Sequence, residues 1–465
     1  TNPKTEDEIT HLADPINVPD PIRRRVMADH LALYYGTRAA ALPVPADNAD
    51  PNVALYIDGA EVLRPNVVVC NLADDGAGWA HQAPSGRYAI DPLLGRVAVA
   101  ADLAVPNSVE VTYHYGFSAD IGGGEYNRER DADAALTTVL RVPTDHATLG
   151  AALAALGGNG VVEIADSGRY EETLSVAVQA DGHVLLRAAE QCRPTLILGG
   201  EMLITGGIDS AFTIEGLLVA GDRLRVPAAP GNVLARLRIA HTTLVPGQAL
   251  DMAGEPVAPA EASLSVEIAD LDVVIDHAIV GGLRVHEGST LTASDSIIDA
   301  TEATAMAYAA PDDVSPAGLL SLDACTLIGR LRATEVGTIS NSLLLARPAG
   351  GDILPPVFVV RRQTGCVRFS FLPLASAVPR RYRCQPETAA DESQFAPRFT
   401  SLRYGVAAYC QLARATADQI RRGADDESEM GAFHSLFPAQ RETNLHIRLR
   451  EFLRVGLAAG IFYET

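Results

Sequence analysis

Two short phrases constrain this chain more than anything else in it. LTASDSIIDA (291–300) has a near copy in TISNSLLLA (338–346), each small and polar in the middle and apolar at its ends. In the longer frames AIVGGLRVHEGSTLTASDSII (278–298) and TLIGRLRATEVGTISNSLL (326–344), Ile279 matches Leu327, Leu283 matches Leu331 and Glu287 matches Glu335, each 48 residues apart. After a two-residue slip, Ser294, Asp295 and Ser296 match Ser340, Asn341 and Ser342, each 46 apart. Each copy holds two β-rich phrases, so one cycle takes about 23–24 residues, and a helix-free repeat of that length is the signature of a solenoid. Weaker copies read LRIAHTTLV (237–245) and LSLDACTLI (320–328). Each coil adds a strand to its predecessor, and a lone coil cannot bury its inner face, so the same residue types must recur at each level. The phrase then reads as Leu291, Ala293 and Ile297 pointing inward, with Ser and Asp or Asn forming the corner between sheets. Leu283, Leu291, Ile297, Leu322, Leu331 and Ile339 are the expected buried rows.

The rest of the chain divides around this solenoid. Residues 1–50 carry Pro15, Pro19 and Pro21, then a short helix from Ile22 with Val26, His30, Leu33 and Tyr34 near one face; a Pro-rich linker (41–52) follows. The Arg23–Arg25 run reads as a solvated or partner-facing helix start. Residues 51–143 form a small β domain: VALYIDGAEV is a strand, an Asp-Gly turn and a strand, and GRYAIDPLLGRVAVA and SVEVTYHYGF supply more. IGGGEY (121–126) lacks the strand–helix context of a phosphate loop and reads as a flexible junction. The solenoid proper spans 144–385. It opens on a helix with Leu149, Leu153 and Leu156 on one face, ended by Gly157 and Gly158. It closes on an Arg-rich stretch with Arg362, Arg368, Arg380, Arg381 and Arg383. Residues 386–465 read as a helical cap or docking region. One helix is expected over 401–422. A second runs from Pro438 to Gly460, with Leu445, Leu449, Phe452, Leu453 and Leu457 as an apolar stripe that should cap the solenoid end or meet a partner.

The entry LGAALAALGGNGVVEIADSGRYEETLSV (149–176) resembles that of the right-handed parallel β-helix proteins of the pectin-lyase-like superfamily, in which a capping helix runs through a glycine-rich turn into the first coil. The likeness covers about residues 145–372. It implies a mainly β fold, a right-handed parallel β-helix flanked by the small N-terminal β domain and the C-terminal helices. YAIDPLLGRVAV, YHYGFSADIGGGEY, GCVRFSFLP and the final 43 or so residues also resemble uncharacterised bacterial proteins associated with phage-tail-like contractile systems.

The net charge of −21 argues against a nucleic-acid partner, and no run approaches the ~18 apolar residues of a membrane span. The polar, acidic start lacks the apolar core of a signal peptide, so a cytoplasmic chain, or part of a particle assembled there, is expected. The six cysteines form no Cys-x-x-Cys pair and read as small buried groups, with Cys366 and Cys384 the one pair placed to join across a loop. Enzymes of the resembled superfamily work in a groove along one sheet with paired carboxylates or a base. Here the candidates are Asp270, Asp272 and Asp276, with Asp295, Asp299 and Asp323; Asp270 and Asp272 share a strand face, and Asp295 stacked near them would complete a cluster. Asp is equally a corner residue. The signatures Asn-Thr-Asp, Gly-His-Gly and Arg-Ile-Lys are absent, and Trp79, the sole tryptophan, lies outside the solenoid. His241, His277 and His286 lack metal-ligand spacing, and the acidic ADDESEMGAFH (424–434) lacks a calcium-loop pattern, so neither metal nor cofactor is expected. The expected function is a structural or binding protein whose partners are other protein subunits, a second copy included, or a polysaccharide. The alternative is a carbohydrate-active lyase or hydrolase.

Overall fold

The computed structural model describes residues 22–36, 53–76, 78–113, 119–128, 136–251 and 253–456, in two compact units, one within residues 1–116 and one within 117–459. In the first, helices α1 (Arg24–Asp29) and α2 (Leu31–Tyr34) bury Met27, Tyr34 and Tyr35 against Val53, Leu55 and Val67. Strands Val53–Ile57 and Ala60–Glu61 pair through the expected Asp-Gly turn, where Asp58 and Gly59 both have positive φ, as a two-residue hairpin demands. The arginine run is only partly a solvated face. Arg25 is exposed, but Arg24 reaches 2.8 Å to the buried carboxylate of Asp91, which also accepts from the Leu72, Leu93 and Leu94 amides. The 41–52 linker lies outside the described residues.

The second unit is a parallel β-helix of three sheets. The first runs from Val139–Val142 and Gly160–Ile164 through His183–Ala188, Ala211–Glu215, Arg236–Ala240, Asp272–Asp276 and Thr290–Ser294 to Cys366–Arg368 and Arg381–Tyr382. The second is eight-stranded, Arg169–Glu172 to Leu343–Leu345, and the third runs from Ser175–Val178 to Val357–Val359. All their pairings are parallel, and Arg330–Ser340 passes from the third sheet into the first without a break. Inside, Leu237, Val273, Leu291 and Leu320 stand in one row, coil over coil, all fully buried.

All six residues expected in the rows are buried, none more than 1 % exposed. Ile297 is buried differently from the expectation. It faces outward from the second sheet, and its partners are Ile121, Ile279, Ile328, Tyr409 and Phe433; its neighbour Ile298 is the one that points into the core. The 46-residue match spans two coils, since Asp295, Ala324 and Asn341 occupy successive corners. Coils are unequal because loops 245–261, 300–305 and 346–356 are inserted between the second and third sheets.

Helix α3 (Leu149–Leu156) closes the first coil as expected. Thr148 caps its start, Glu172 accepts from the Leu149 and Gly150 amides, and Gly157 ends it in the left-handed conformation. The last coil is closed by a loop pinned from within: the half-buried Arg381 guanidinium donates to the Pro373, Leu374 and Ser376 carbonyls. The helix expected over 401–422 is not there. Phe399 to Leu412 make a hairpin that lays Tyr409 and Cys410 on the second sheet's outer face, and only α5 (Asp418–Arg421) is helical; α4 (Ala389–Gln394) precedes it. The apolar residues that suggested a helix cover an apolar sheet face instead. Helix α6 (Pro438–Phe452) starts at the expected proline, but it ends at Phe452, before Gly460. Its stripe is not covered by the described chain: Leu445 is 48 % and Phe452 73 % exposed, and only Ala439 is buried. Leu457 lies outside the described residues. The six cysteines are all free thiols, Cys366 and Cys384 included.

IGGGEY is not a flexible joint either. It lies against the corner between the first and second sheets, where Gly122 donates to the His277 carbonyl at 2.7 Å and Gly123 to Thr243 Oγ1 at 3.0 Å. A side chain at Gly123 would strike the Leu217 carbonyl, so glycine is required here for close approach.

Candidate functional site

From the third coil on, the corner between the first and second sheets repeats. One residue there has positive φ: Gly216, His241, His277, Asp295, Ala324, Asn341, Phe369 and Arg383 in turn. Glycine, Asn, Asp and His adopt this conformation most readily, which accounts for the first four and Asn341. The residue after it faces inward, and after Leu217 in the first of these corners it is small: Thr242, Ala278, Ser296, Cys325, Ser342, Ser370, Cys384. Ser296, Ser342 and Ser370 each donate to the carbonyl two residues back, at 2.6–2.7 Å. Each also accepts from a neighbouring coil: Ala278 N to Ser296 Oγ, Cys325 N to Ser342 Oγ, Ser342 N to Ser370 Oγ. This ladder is the physical reason for the twice-written Ser-Asp/Asn-Ser phrase. The inner hydroxyl satisfies buried backbone groups while the middle residue turns the chain.

The outward corner residues bring titratable groups together. His241 and His277 sit on adjacent coils with their rings stacked at 5.0 Å. Tyr126 donates its hydroxyl to the Gly122 carbonyl at 2.7 Å and lies 3.1 Å from His241 Nδ1. A carbonyl only accepts, so the tyrosine proton is committed, and His241 Nδ1 must be the donor. His277 Nδ1 is 2.8 Å from Asp276 Oδ1, which also accepts from Ser294 Oγ at 3.0 Å; Arg238 reaches Asp276 Oδ2 at 3.3 Å. Burial, reinforced by the neighbouring His277, lowers His241 to about 4, so its imidazole is neutral at physiological pH. Burial alone would raise Asp276, but the hydrogen bond and charge of His277, with Ser294 and Arg238, hold it at about 2. The Asp276 carboxylate in turn raises His277.

Of the three carboxylates expected to cluster, Asp270, Asp272 and Asp295, only Asp295 joins this group, beside Asp276, which was also singled out. Asp295 is the next corner residue; burial raises its carboxyl, against the opposing influence of His277 and a hydrogen bond from Ser435. Asp272 begins the strand that Asp276 ends, about 13 Å away at a strand rise of ~3.3 Å. It is bound by Thr290 at 3.0 Å and lies 3.5 Å from Arg236. Asp270 lies in the turn before that strand and borders a 540 Å³ hollow with Asp209 and Glu267, which no aromatic side chain lines. Glu267 is itself paired with Arg225. Asp299 is buried under the wrap and accepts from Tyr409 at 2.6 Å. The three carboxylates therefore form no cluster. Of the histidines singled out, His286 stands apart, its Nδ1 accepting from the Gly288 amide.

On the third sheet's outer face, an arginine row is matched by the chain's own acids: Arg223 and Arg225 with Glu201, Glu261 and Glu267, Arg284 with Asp313, and Arg330 and Arg332 with Asp352. Sequence reading missed the His241–His277 pairing and the part played by Tyr126. The signal was present, because VVIDHAIV (273–280) is a further copy of LRIAHTTLV that places His277 on His241. No helix among the described residues is long and apolar enough to cross a membrane. No protein-family model matches this chain, and no curated protein or solved structure matches it significantly, so its parallel β-helix rests on its own strand pairings.

Proposed function

We propose that this chain is a structural or binding module of a larger assembly, a β-helix shaft that docks on another subunit through α6. The observation that carries this reading is the exposed second half of α6. Leu445, Ile447 and Phe452 are each about half exposed or more, while the helix root is fixed by Glu442, which pairs with Arg414 and Arg421. A rigidly rooted helix presenting apolar side chains is a docking element, and a second copy is its simplest occupant. The carboxylates of the solenoid support the same reading: those singled out for catalysis are dispersed, or held by the chain's own Arg, Ser, Thr and His side chains. The resemblance to proteins of phage-tail-like contractile systems suggests the kind of particle.

Sedimentation of the full chain tests the docking. Its mass should rise with concentration, and Leu445→Ser with Phe452→Ser should abolish the rise; equal masses throughout would defeat the reading. An activity assay tests the rest. No unsaturated or reducing ends should appear from polygalacturonate, with or without calcium. Turnover lost in Asp270→Ala, Asp272→Ala or Asp276→Ala would establish the carbohydrate-active alternative.

A further inference from the structure

The two corner histidines stand on adjacent coils with their rings stacked. Each has one ring nitrogen fixed by a partner: Nδ1 of His241 by the Tyr126 hydroxyl, Nδ1 of His277 by the Asp276 carboxylate. In His241, Nδ1 is the donor, which leaves the lone pair of the neutral ring on Nε2; in His277, Nδ1 and the Asp276 carboxylate hold a proton between them, 2.8 Å apart, where a metal ion can take the proton's place. No hydrogen bond to His241 Nε2 occurs among the described residues. An imidazole whose far nitrogen is oriented by a hydroxyl, as that of His241 is by Tyr126, with the near nitrogen free, is a form in which histidine binds metal. One donor atom each from His241, Asp276 and His277 lies within 4.8 Å of the other two. Tetrahedral ligands at about 2.1 Å stand about 3.4 Å apart. The groups need close by no more than about 1.4 Å, within reach of a rotation of His277, which is 37 % exposed.

We propose that His241, Asp276 and His277 bind a divalent transition-metal ion of the zinc class. The donor set selects the ion: two imidazoles and one carboxylate suit zinc, cobalt, nickel or iron(II), and do not suit calcium or magnesium, which take oxygen ligands. Arg238 and Ser294 hold the Asp276 carboxylate, and Tyr126 holds His241, so the site has its supporting contacts in place. The ion would tie two adjacent coils to each other and, through Tyr126, to the IGGGEY segment.

The test uses untagged full-length protein, stripped with EDTA and titrated calorimetrically with Zn²⁺, and with Co²⁺ followed by visible absorption. One Zn²⁺ should bind per chain, undisplaced by excess Ca²⁺. Asn tolerates the left-handed corner, so His241→Asn and His277→Asn remove the imidazoles with the least strain. Each should weaken binding at least about tenfold, and Tyr126→Phe by about tenfold, the effect of losing a group that orients a ligand. His434→Asn removes the histidine of the separate Asp425, Asp426 and His434 group, and should leave binding unchanged. No saturable binding by the wild-type chain, equal affinity in the His277→Asn variant, or loss only in His434→Asn would overturn the proposal. Should His241→Asn fail to fold, His277→Asn, at the more exposed position, decides.

Discussion

Helices α3 and α6 look alike as sequence and do opposite things. Both carry apolar residues at helical spacing, and both begin at a recognisable signal, Thr148 for one and Pro438 for the other. In α3, Leu149, Ala152, Leu153 and Leu156 join the solenoid core; in α6, the single buried residue is Ala439. Periodicity shows that a helix has an apolar face, but not whether its own chain covers that face. The difference lies in what each helix adjoins. Helix α3 sits against the open end of the first coil, where nothing else covers the inner rows. Helix α6 follows a wrap that has already covered the second sheet.

Substitutions can break or sharpen this contrast. The largest effect is expected at Leu149→Ala, which should cost about 2–5 kcal/mol in chemical denaturation, with Leu291→Ala in the same range. A loss under 1 kcal/mol at Leu149 would mean that α3 is not the cap its burial implies. Next comes Glu429, near the root of α6. Burial, only partly offset by Arg421, raises its carboxyl to about 8. The folded state therefore keeps a proton that the unfolded chain loses near its ordinary carboxyl range. That stability is complete at acidic pH and is lost as pH rises toward 8. Glu429→Gln should then raise the melting temperature at pH 8.5, by an amount worth roughly 2–4 kcal/mol, and leave it unchanged at pH 4. An equal shift at both pH values would show that the carboxyl is not titrating there. Thr148→Ala removes the cap of α3 and should cost about 1 kcal/mol. Phe452→Ser should change the stability of the monomer by less than about 0.5 kcal/mol. If it instead costs as much as Leu149→Ala in dilute solution, α6 is covered by its own chain and the contrast fails.

The fold was legible because stacked coils must repeat their inner residues. Leu283 and Leu331, or Ser296 and Ser342, announce themselves as equivalent without any knowledge of the sheets. The corner site was not, and the reason is geometric. His241 and His277 are neighbours in space, but loop 245–261 is inserted between their coils and destroys any regular spacing. Tyr126 reaches them from a segment outside the repeat. The C-terminal wrap was misread for a related reason. Tyr409 and Cys410 lie in a stretch that reads as a helix, and Ile297 reads as core, until the hairpin and the outer face of the second sheet are recognised as each other's cover.

The corner also works as a ruler. Parallel strands stand about 4.8 Å apart, so one outward side chain per coil is displayed at that fixed pitch, as on a printed scale. Where the inner residue is Ser, its hydroxyl bonds the backbone of its own corner and of the next coil, and so holds the scale straight. Gly216, His241, His277, Asp295, Ala324 and Asn341 are six successive marks on it. Interacting pairs such as His241 and His277 arise between adjacent marks without any change to the interior rows. The solenoid separates the rows fixed by packing inside from the groups it sets side by side at its corner.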